Sequence, residues 1–235
     1  MNISDYLNLL STFGIGGAHP GGIDLTKEML KLQKINSDTT ILDVGCGTGQ
    51  TAAYLAKTYG AKVTAIDINP LMIEKAKQRI SVAQLHVNIL QGSIEKTTLQ
   101  ENSFDLILSE SVLSFVKTTV ALNEIYRLLK SGGRFIANEI SLSQSIEENI
   151  KKEIQEFYGF ESIPSEGEWI NRFEQSGFIP INVLEKQSIT QSYSTPDFHY
   201  SDHIEPELYT LMEKHVDMTE KYAHILDFRV FICTK

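Results

Sequence analysis

The sequence has few cysteines and no long apolar run. Only two of its 235 residues are cysteine, Cys46 and Cys233, which form no disulfide framework and suit a reducing cytoplasm. No apolar run approaches the roughly 20 residues of a transmembrane helix. The N-terminus has neither a basic start nor a small-residue cleavage site. These absences predict a cytoplasmic protein with no membrane partner.

Basic residues are also in the minority. The chain has 21 Lys and Arg against 30 Asp and Glu, a formal net charge of −9. Proteins that bind nucleic acid neutralise phosphates with lysine and arginine, so we expect no nucleic-acid partner. The densest basic cluster, Lys75, Lys77 and Arg79, lies on a predicted helix and is typical of a solvated helix face. Nothing in the sequence indicates an oligomeric state.

What the chain does have is an alternation of strands and helices. Apolar runs predict five strands with helices between them, which favours right-handed crossovers and a mostly parallel sheet. Two later strands, at 178–189 and 224–235, lack a clear crossover and favour an antiparallel C-terminal edge. The predicted fold is therefore α/β, with a seven-stranded sheet and helices on both faces. The first five strands are predicted at 39–45, 61–68, 84–91, 103–110 and 133–140.

Local signals place several helix boundaries. We expect a short helix over 2–10 and one over 25–34 capped by Asp24. Asn69 followed by Pro70 predicts an N-cap and a first helical residue. A helix over 118–130 is expected to end at a Ser-Gly-Gly sequence, with Gly132 or Gly133 in the left-handed conformation.

A glycine-rich turn follows the first of these strands, in the stretch ILDVGCGTGQ at 41–50. Gly45, Gly47 and Gly49 allow unusual backbone angles and let a ligand approach the main chain. Such a turn lies at the carboxyl end of a parallel strand, where open α/β sheets bind ligands. Asp67 ends the next strand, 22 residues after Gly45, where an acid commonly accepts hydrogen bonds from ribose hydroxyls.

The residues around the turn do not favour a phosphate. Gln50 stands where the G-x-G-x-x-G pattern has its last glycine, and no P-loop lysine follows. Asp43 places a negative charge before the turn, which suits a cationic ligand better than a pyrophosphate. Structural alternatives stay open here: the glycines could serve packing alone, Asp67 could cap a helix, and Asp43 could be structural.

Four motifs in order resemble the class I S-adenosylmethionine-dependent methyltransferases, which have a Rossmann-like fold. The nearest group is the small-molecule enzymes similar to those of ubiquinone and menaquinone biosynthesis. The resemblance implies S-adenosyl-L-methionine as cofactor and transfer of a methyl group to a small molecule. The motifs are LDVGCGTG at 42–49, AIDINPLMIEKAK at 65–77, FDLILSESVL at 104–113 and ALNEIYRLLKSGGRFIANE at 121–139.

The resemblance also implies roles for individual residues. The methionyl part of the cofactor is expected beside the glycine turn, the ribose at Asp67 and the adenine against Ile68. Ser93 stands where the family usually has an acid for the adenine amino group, and Ile94 could offer a backbone amide. A catalytic role for the Cys46 thiol is not expected. The full expected cofactor site is Asp43, Gly45, Cys46, Gly47, Gly49, Asp67, Ile68, Ser93, Ile94 and Ser109.

The acceptor site of such enzymes opens beyond the fourth predicted strand. Glu110 could orient an acceptor or take its proton, or it could be a solvated acid at a strand end. His19, in the sequence HPGG, could face the site or belong to a plain turn. Tyr6 and Phe13 are candidate lid contacts. The motif SESV differs from the N/D-P-P-Y type of enzymes that methylate base amino groups, and no spacing indicates a metal.

We expect one domain over 1–235, with a helical lid at 1–35, a cofactor-binding core at 36–140, and substrate-side helices and the last two strands at 141–235. Two other functions share parts of the pattern. An NAD-dependent oxidoreductase would use Gly45, Gly47 and Asp67, although Gln50 disagrees with it. A non-catalytic S-adenosylmethionine-binding module would use the whole cofactor site. The sequence does not indicate whether oxygen, nitrogen, sulfur or carbon is methylated.

Overall fold

Strands and helices alternate as far as residue 142, except over 92–103 where no helix separates two strands, in the computed structural model, which describes residues 4–184 and 197–235. The helices are α1 (Asp5–Phe13), α2 (Gly22–Lys31), α3 (Gln50–Tyr59), α4 (Pro70–Val82), α5 (Thr118–Leu128), α6 (Glu148–Tyr158), α7 (Glu166–Gln175) and α8 (Pro206–Tyr222), with a 3-10 turn at Leu113–Phe115. The strands are β1 (Ile15–Gly16), β2 (Thr40–Val44), β3 (Lys62–Asp67), β4 (Val87–Gln91), β5 (Phe104–Glu110), β6 (Leu129–Leu142), β7 (Ile181–Val183), β8 (Asp197–Phe198) and β9 (Leu226–Thr234).

Seven of these strands form one sheet in the order β4-β3-β2-β5-β6-β9-β7. Neighbours from β4 to β6 are parallel, whereas β9 is antiparallel to both β6 and β7. The predicted α/β sheet with an antiparallel C-terminal edge is confirmed. The strand predicted at 178–189 is short, since β7 ends at Val183, and residues 185–189 of that prediction lie outside the described residues.

A second sheet was not predicted from the sequence. It contains only β1 and β8, which pair antiparallel through Ile15 with Phe198 and Gly16 with Asp197. Two-residue strands are too short to show a period-2 pattern. Their pairing joins the N-terminal segment to a part of the chain about 180 residues later, and both strands border the cavity described below.

Both faces of the main sheet are buried, as expected for parallel strands covered by helices. On β5, Leu106 and Leu108 belong to the cluster under α2 and α3, whereas Ile107 belongs to the cluster under α5 and α7. This alternation follows the period of two in a strand. No helix within 4–184 and 197–235 has the length and apolar content that a membrane span needs.

Several predicted helix boundaries were wrong and one was right. Helix α1 covers Asp5–Phe13 rather than 2–10, and α2 ends at Lys31 rather than at 34. The N-cap of α2 is Gly21, so Asp24 lies in the first turn of that helix. Helix α5 ends at Leu128, because the chain passes directly into β6, so the predicted end at the Ser-Gly-Gly sequence was wrong. Gly132 does have the predicted left-handed conformation (φ +75°), but within that strand. Asn69 does cap α4, and its Oδ1 accepts hydrogen bonds from the Leu71 and Met72 N–H groups at 2.9 and 3.4 Å.

The prediction of a solvated basic face on α4 was wrong for Lys75. This side chain is buried, and its Nζ donates to the carbonyl oxygens of Thr12 at 3.0 Å and His199 at 2.5 Å. Burial lowers the pKa of Lys75. Arg79, one turn later, forms an ion pair with Asp197 at 2.7 Å. Helix α4 therefore fastens the end of α1 and the segment around β8 to the main sheet.

A buried carboxylate on β6 fixes the loop that follows β5. Oε1 of Glu139 accepts hydrogen bonds from the Ser109 hydroxyl at 3.0 Å and from the N–H groups of Val112 and Leu113 at 3.2 and 3.1 Å. These two N–H groups lie at the start of the 3-10 turn. Burial raises the pKa of Glu139 to about 8, against the opposing effect of these donors.

The first prediction concerns Lys75. Replacing it by methionine (Lys75→Met) removes both hydrogen bonds and should lower the free energy of unfolding by about 1–3 kcal/mol. Urea denaturation followed by circular dichroism measures this change. Lys77→Met is the matched control, because Lys77 is exposed on the same helix and its replacement should leave the free energy within about 0.5 kcal/mol. Equal effects of the two substitutions would contradict the anchoring role of Lys75.

The second prediction concerns Glu139 and pH. The folded protein keeps this carboxyl protonated up to about pH 8, whereas the unfolded chain releases the proton near its ordinary value of 4.5. Between these values the folded state binds more protons, so this group makes stability fall as pH rises, by up to about 1.4 kcal/mol per pH unit. Glu139→Gln does not titrate and removes that slope.

Urea unfolding at several pH values between 5 and 9 tests the second prediction. The stability of Glu139→Gln relative to the unsubstituted protein should increase from pH 5 to pH 8 and then level off. Glu74→Gln, at an exposed position of α4, should follow the unsubstituted protein at every pH. A constant difference between Glu139→Gln and the unsubstituted protein would show that Glu139 does not hold a proton in the folded state.

Candidate active site

A cavity of about 1210 Å³ lies at the carboxyl ends of β2, β3 and β5. Open α/β sheets bind ligands at this edge. The glycine turn after β2, the residues after β3 and the residues after β5 form one part of its wall. Residues from α1, the HPGG turn, α6 and α8 form the rest. The N-terminal and C-terminal parts of the chain therefore share one cavity with the centre of the sheet.

The glycine turn is held by the neighbouring strand. The N–H groups of Gly45 and Cys46 donate to the carbonyl oxygen of Ile66, at 2.8 and 3.1 Å. A Cβ added to Gly45 would lie 2.3 Å from Cγ2 of Val112, so this glycine allows the loop after β5 to pack against the turn. Gly49 lies outside the cavity lining, where an added Cβ would lie 3.0 Å from the Cβ of Ala76.

Gly47 differs from the other two glycines. It lines the cavity with a φ of +51°, and an added Cβ would meet no atom closer than Sδ of Met72, at 4.0 Å. A side chain here would be strained and would project into open space. The turn thus combines two packing glycines with one that leaves the main chain accessible to a ligand.

Asp67 connects the turn with the start of α4. Its Oδ2 accepts a hydrogen bond from the Gly47 N–H, and its Oδ1 accepts one from the Asn69 N–H, both at 2.8 Å. Each carboxylate oxygen has a further lone pair, and the residue lines the cavity. Burial raises the pKa of Asp67, and the backbone N–H groups of Asn69, Gly47 and Ile68 oppose that rise.

Asp43 is a buried carboxylate with an unused oxygen. Its side chain is buried, and its Oδ2 has no hydrogen-bond partner among residues 4–184 and 197–235. Burial, and then the negative charges of Glu110 and Asp67, raises the pKa of Asp43 well above its usual range. Three carboxylates at one end of a cavity fit a ligand that brings positive charge and hydrogen-bond donors.

The structure brings Glu110 and His19 together, which the sequence did not indicate. Nε2 of His19 lies 3.6 Å from Oε1 of Glu110, and both side chains are only 7% exposed. The two oxygens of Glu110 accept from the hydroxyls of Thr26 at 2.6 Å and Thr51 at 2.9 Å. Glu110 is thus enclosed at the cavity wall, which disagrees with a solvated acid at a strand end. Pro20 of the same HPGG turn accepts from the Asn138 side chain at 2.9 Å.

The remaining cavity candidates lie beyond the ends of β3 and β4. Ile68 is 48% exposed and lines the cavity, as do Ser93 and the buried Ile94. The Ser93 hydroxyl oxygen accepts a hydrogen bond from the Glu95 N–H at 3.1 Å. Cys46 also lines the cavity, and burial raises the pKa of its thiol well above the ordinary value, which disfavours the reactive thiolate.

Three expected site residues lie outside the cavity lining, namely Gly49, as described above, Ser109 and Phe13. Ser109 is fully buried and donates to Glu139, because adjacent residues of β5 point to opposite faces and Glu110 takes the other one. Phe13 packs between Leu9 and Leu208, with its ring edge-on to Tyr209 at 5.2 Å. It lies about 10 Å along α1 from Tyr6, which does line the cavity.

Sequence reasoning missed several groups at this site. The cavity is also lined by Phe115, Tyr158, Phe160 and His215. Their only signal in the sequence was apolar or aromatic periodicity, which also describes ordinary core residues. Glu139 lies in an apolar strand of the sequence, and nothing there indicates that its carboxyl group contacts the loop after β5.

Comparison with known proteins agrees with this geometry. A model of the methyltransferase domain matches residues 42–137. The uncharacterized methyltransferase YodH of Bacillus subtilis is 36% identical over 234 residues, which cover 99% of this chain and all of that protein. The ubiquinone/menaquinone biosynthesis C-methyltransferase UbiE of Geotalea daltonii is 28% identical over 198 residues, 81% of this chain and 80% of that one.

A solved structure shares the fold. Phosphoethanolamine N-methyltransferase 2 of Haemonchus contortus, in complex with S-adenosyl-L-methionine, superposes with a TM-score of 0.76 at 18% identity. The match covers 98% of this chain and 56% of that one. The full-length similarity to YodH, together with the match to the domain model, shows the family. The chain belongs to the methyltransferase-domain family and is a class I S-adenosylmethionine-dependent methyltransferase.

Proposed function

We propose that this methyltransferase transfers the methyl group to a small-molecule acceptor that binds in the same cavity as the cofactor. The observation that carries the proposal is the single continuous cavity of about 1210 Å³. Sites for one small ligand commonly measure about 300–1,000 Å³, so this one has room for two. Helix α1 and the HPGG turn border it, which favours a compact acceptor over a polymer.

We assign the cofactor to the end of the cavity beside β2 and β3. When bound, S-adenosylmethionine supplies an electrophilic methyl group on a positively charged sulfur. The open backbone at Gly47 accommodates the amino-acid part, and the unused oxygen of Asp43 is available to its positive charge. Asp67 accepts hydrogen bonds from the two ribose hydroxyls with its remaining lone pairs.

The adenine lies, in this proposal, beyond the ends of β3 and β4. The exposed side chain of Ile68 and the buried Ile94 offer apolar surface on which a ring can pack. Ser93 offers a neutral hydroxyl in place of the acid that is usual in the family. A neutral hydrogen bond is weaker than a charged one, so this contact contributes less than the one at Asp67.

Glu110 and His19 lie at the end of β5, where we place the reacting groups. Their enclosed pair can accept the proton that an O–H, N–H or S–H acceptor loses as it is methylated. The threonine hydroxyls that hold Glu110 fix the direction of its carboxylate. The rest of the chain divides as the sequence predicts in this proposal: 1–35 as lid, 36–140 as cofactor core and 141–235 as acceptor side.

The third prediction concerns cofactor binding. Asp67→Ala removes the carboxylate that is assigned to the ribose and should weaken S-adenosylmethionine binding about 10- to 100-fold in isothermal titration calorimetry. Asp67→Asn keeps the shape of the side chain and one carbonyl acceptor. Its affinity for S-adenosylmethionine should lie between those of the unsubstituted protein and Asp67→Ala. Asp38→Ala, at an exposed acid away from the cavity, is the matched control and should bind normally.

Two results would contradict the assignment of Asp67. One is an unchanged dissociation constant in Asp67→Ala. The other is the absence of both heat and thermal stabilisation when the unsubstituted protein meets millimolar cofactor. A parallel titration with NADH should show no binding, since Gln50 replaces the last glycine of the dinucleotide pattern.

The fourth prediction concerns catalysis. Incubation with methyl-labelled S-adenosylmethionine and fractionated metabolite extract should give a labelled small molecule that mass spectrometry identifies. Glu110→Gln should then lower the rate of labelling about 100-fold or more while cofactor binding changes little. Glu156→Gln, at an exposed carboxylate outside the cavity lining, is the control and should keep the rate. Label that appears only in protein or nucleic acid would overturn the small-molecule acceptor.

A further inference from the structure

The part of the cavity away from the glycine turn is walled by aromatic rings in mutual contact. Phe115, Phe160, Tyr158, Tyr6 and His215 form this aromatic wall, and all five line the cavity. The ring centroids are 4.9 Å apart for Phe115 and Phe160, 5.1 Å for Phe160 and Tyr158, 4.9 Å for Tyr158 and Tyr6, and 5.2 Å for Tyr6 and His215. The wall extends from the 3-10 turn after β5 to helix α8.

Few positively charged side chains line the cavity. Among the described residues that line it, Lys117 is the only lysine, and there is no arginine. Phosphate and carboxylate groups are usually recognised by such cations, and by arginine in particular. The five acids of the lining oppose an anionic ligand further; they are Asp43, Asp67, Glu95, Glu110 and Glu161.

The aromatic wall itself is uncharged near neutral pH. Burial lowers the pKa of His215, so its imidazole is neutral. Burial also raises the pKa of the Tyr6 and Tyr158 hydroxyls, which keeps both protonated. His215 packs edge-on to Tyr158 with centroids 5.8 Å apart, so its ring orientation is fixed from two sides.

His215 also has an unused hydrogen-bonding capacity. Its Nδ1 is buried and has no hydrogen-bond partner among residues 4–184 and 197–235. A neutral imidazole carries one donor and one acceptor, and buried polar atoms without a partner are uncommon in folded proteins. Packing against Tyr6 and Tyr158 accounts for the position of the His215 ring but not for its partnerless nitrogen, for which a ligand hydroxyl would be a partner.

We infer that the acceptor is an uncharged, ring-bearing apolar molecule whose ring packs on the aromatic wall and whose hydroxyl group hydrogen-bonds to His215. This inference rests on the proposed function and names its acceptor class. A phosphorylated or carboxylated acceptor would meet a single lysine, Lys117, and five acids in the described lining. A small ammonium compound would cover only part of the five-ring aromatic wall at the acceptor end of the cavity. His215 is thus a specificity-determining residue that contacts the acceptor.

Three probes that share one ring system test the charge of the acceptor. They are 2-naphthol, 2-naphthyl phosphate and 2-naphthylmethylammonium, titrated into the unsubstituted protein saturated with S-adenosylhomocysteine. We expect 2-naphthol to bind at least about tenfold more tightly than either charged probe. Stronger binding of the phosphate or of the ammonium compound, or no binding of 2-naphthol, overturns the inference.

A substitution tests the hydrogen bond. His215→Phe keeps an aromatic ring against Tyr6 and Tyr158 and should weaken 2-naphthol binding about five- to tenfold. Binding of naphthalene, which has no hydroxyl, should not change. His203→Phe, at an exposed histidine paired with Glu205, is the matched control and should leave both affinities unchanged. An equal loss for both probes in His215→Phe would assign only a packing role to this residue.

The test of the acceptor class and the test of the proposed function can fail independently of each other. Probe binding requires no methyl transfer, whereas the labelling experiment requires no knowledge of the acceptor class. If a labelled product proves to be phosphorylated, the proposed function stands and this inference fails. Normal cofactor affinity in His215→Phe shows that the variant is folded, so a lost 2-naphthol affinity cannot be attributed to unfolding.

Discussion

The carboxylate of Asp67 is the constraint on which the cofactor end of the cavity depends. One side chain accepts from the N–H of Gly47 in the glycine turn and from the N–H of Asn69 at the start of α4. Asn69 in turn caps that helix. The turn, the end of β3 and the helix are therefore fixed relative to one another by three hydrogen-bonding groups within a few residues. The main chain at Gly47 has no side chain to cover it. It keeps a fixed position for binding a ligand because these hydrogen bonds of Asp67 and Asn69 hold the turn in place.

Two buried acids of the main sheet, Glu139 on β6 and Asp43 on β2, show how differently a carboxyl group can be used. Glu139 is supplied with a hydroxyl and two backbone N–H groups, and it orders the loop after β5 from behind the sheet. Asp43 has an oxygen without a partner among the described residues and lies near two other acids. All three donors of Glu139 reach its Oε1, and this carboxyl serves structure although its buried Oε2, like Oδ2 of Asp43, has no partner among the described residues. What distinguishes Asp43 is that it lines the cavity, where the proposed function places a positively charged cofactor beside it.

The parts that could be predicted from the sequence are those that local chemistry specifies. The strands and helices of the core, the glycine turn and the Asn69 cap each depend on residues close in the chain. The β1–β8 pair, the burial of Lys75 and the meeting of His19 with Glu110 depend on contacts between distant segments, for which a single sequence gives no signal. Lys75 is the clearest case: its helical position predicted a solvated face, and only the packing of α1 across α4 shows why it is buried.

The difference between local and long-range contacts also explains why the cofactor is easier to identify from the sequence than the acceptor. The methyltransferase domain model covers 42–137, which includes the glycine turn, Asp67 and the end of β5. Four of the five rings of the aromatic wall, those of Tyr6, Tyr158, Phe160 and His215, lie outside that range. They come from α1, from α6 and the residue pair after it, and from α8, so their meeting depends on how both ends of the chain fold back over the sheet. The charge and shape of that wall, rather than the shared motifs, therefore select the acceptor.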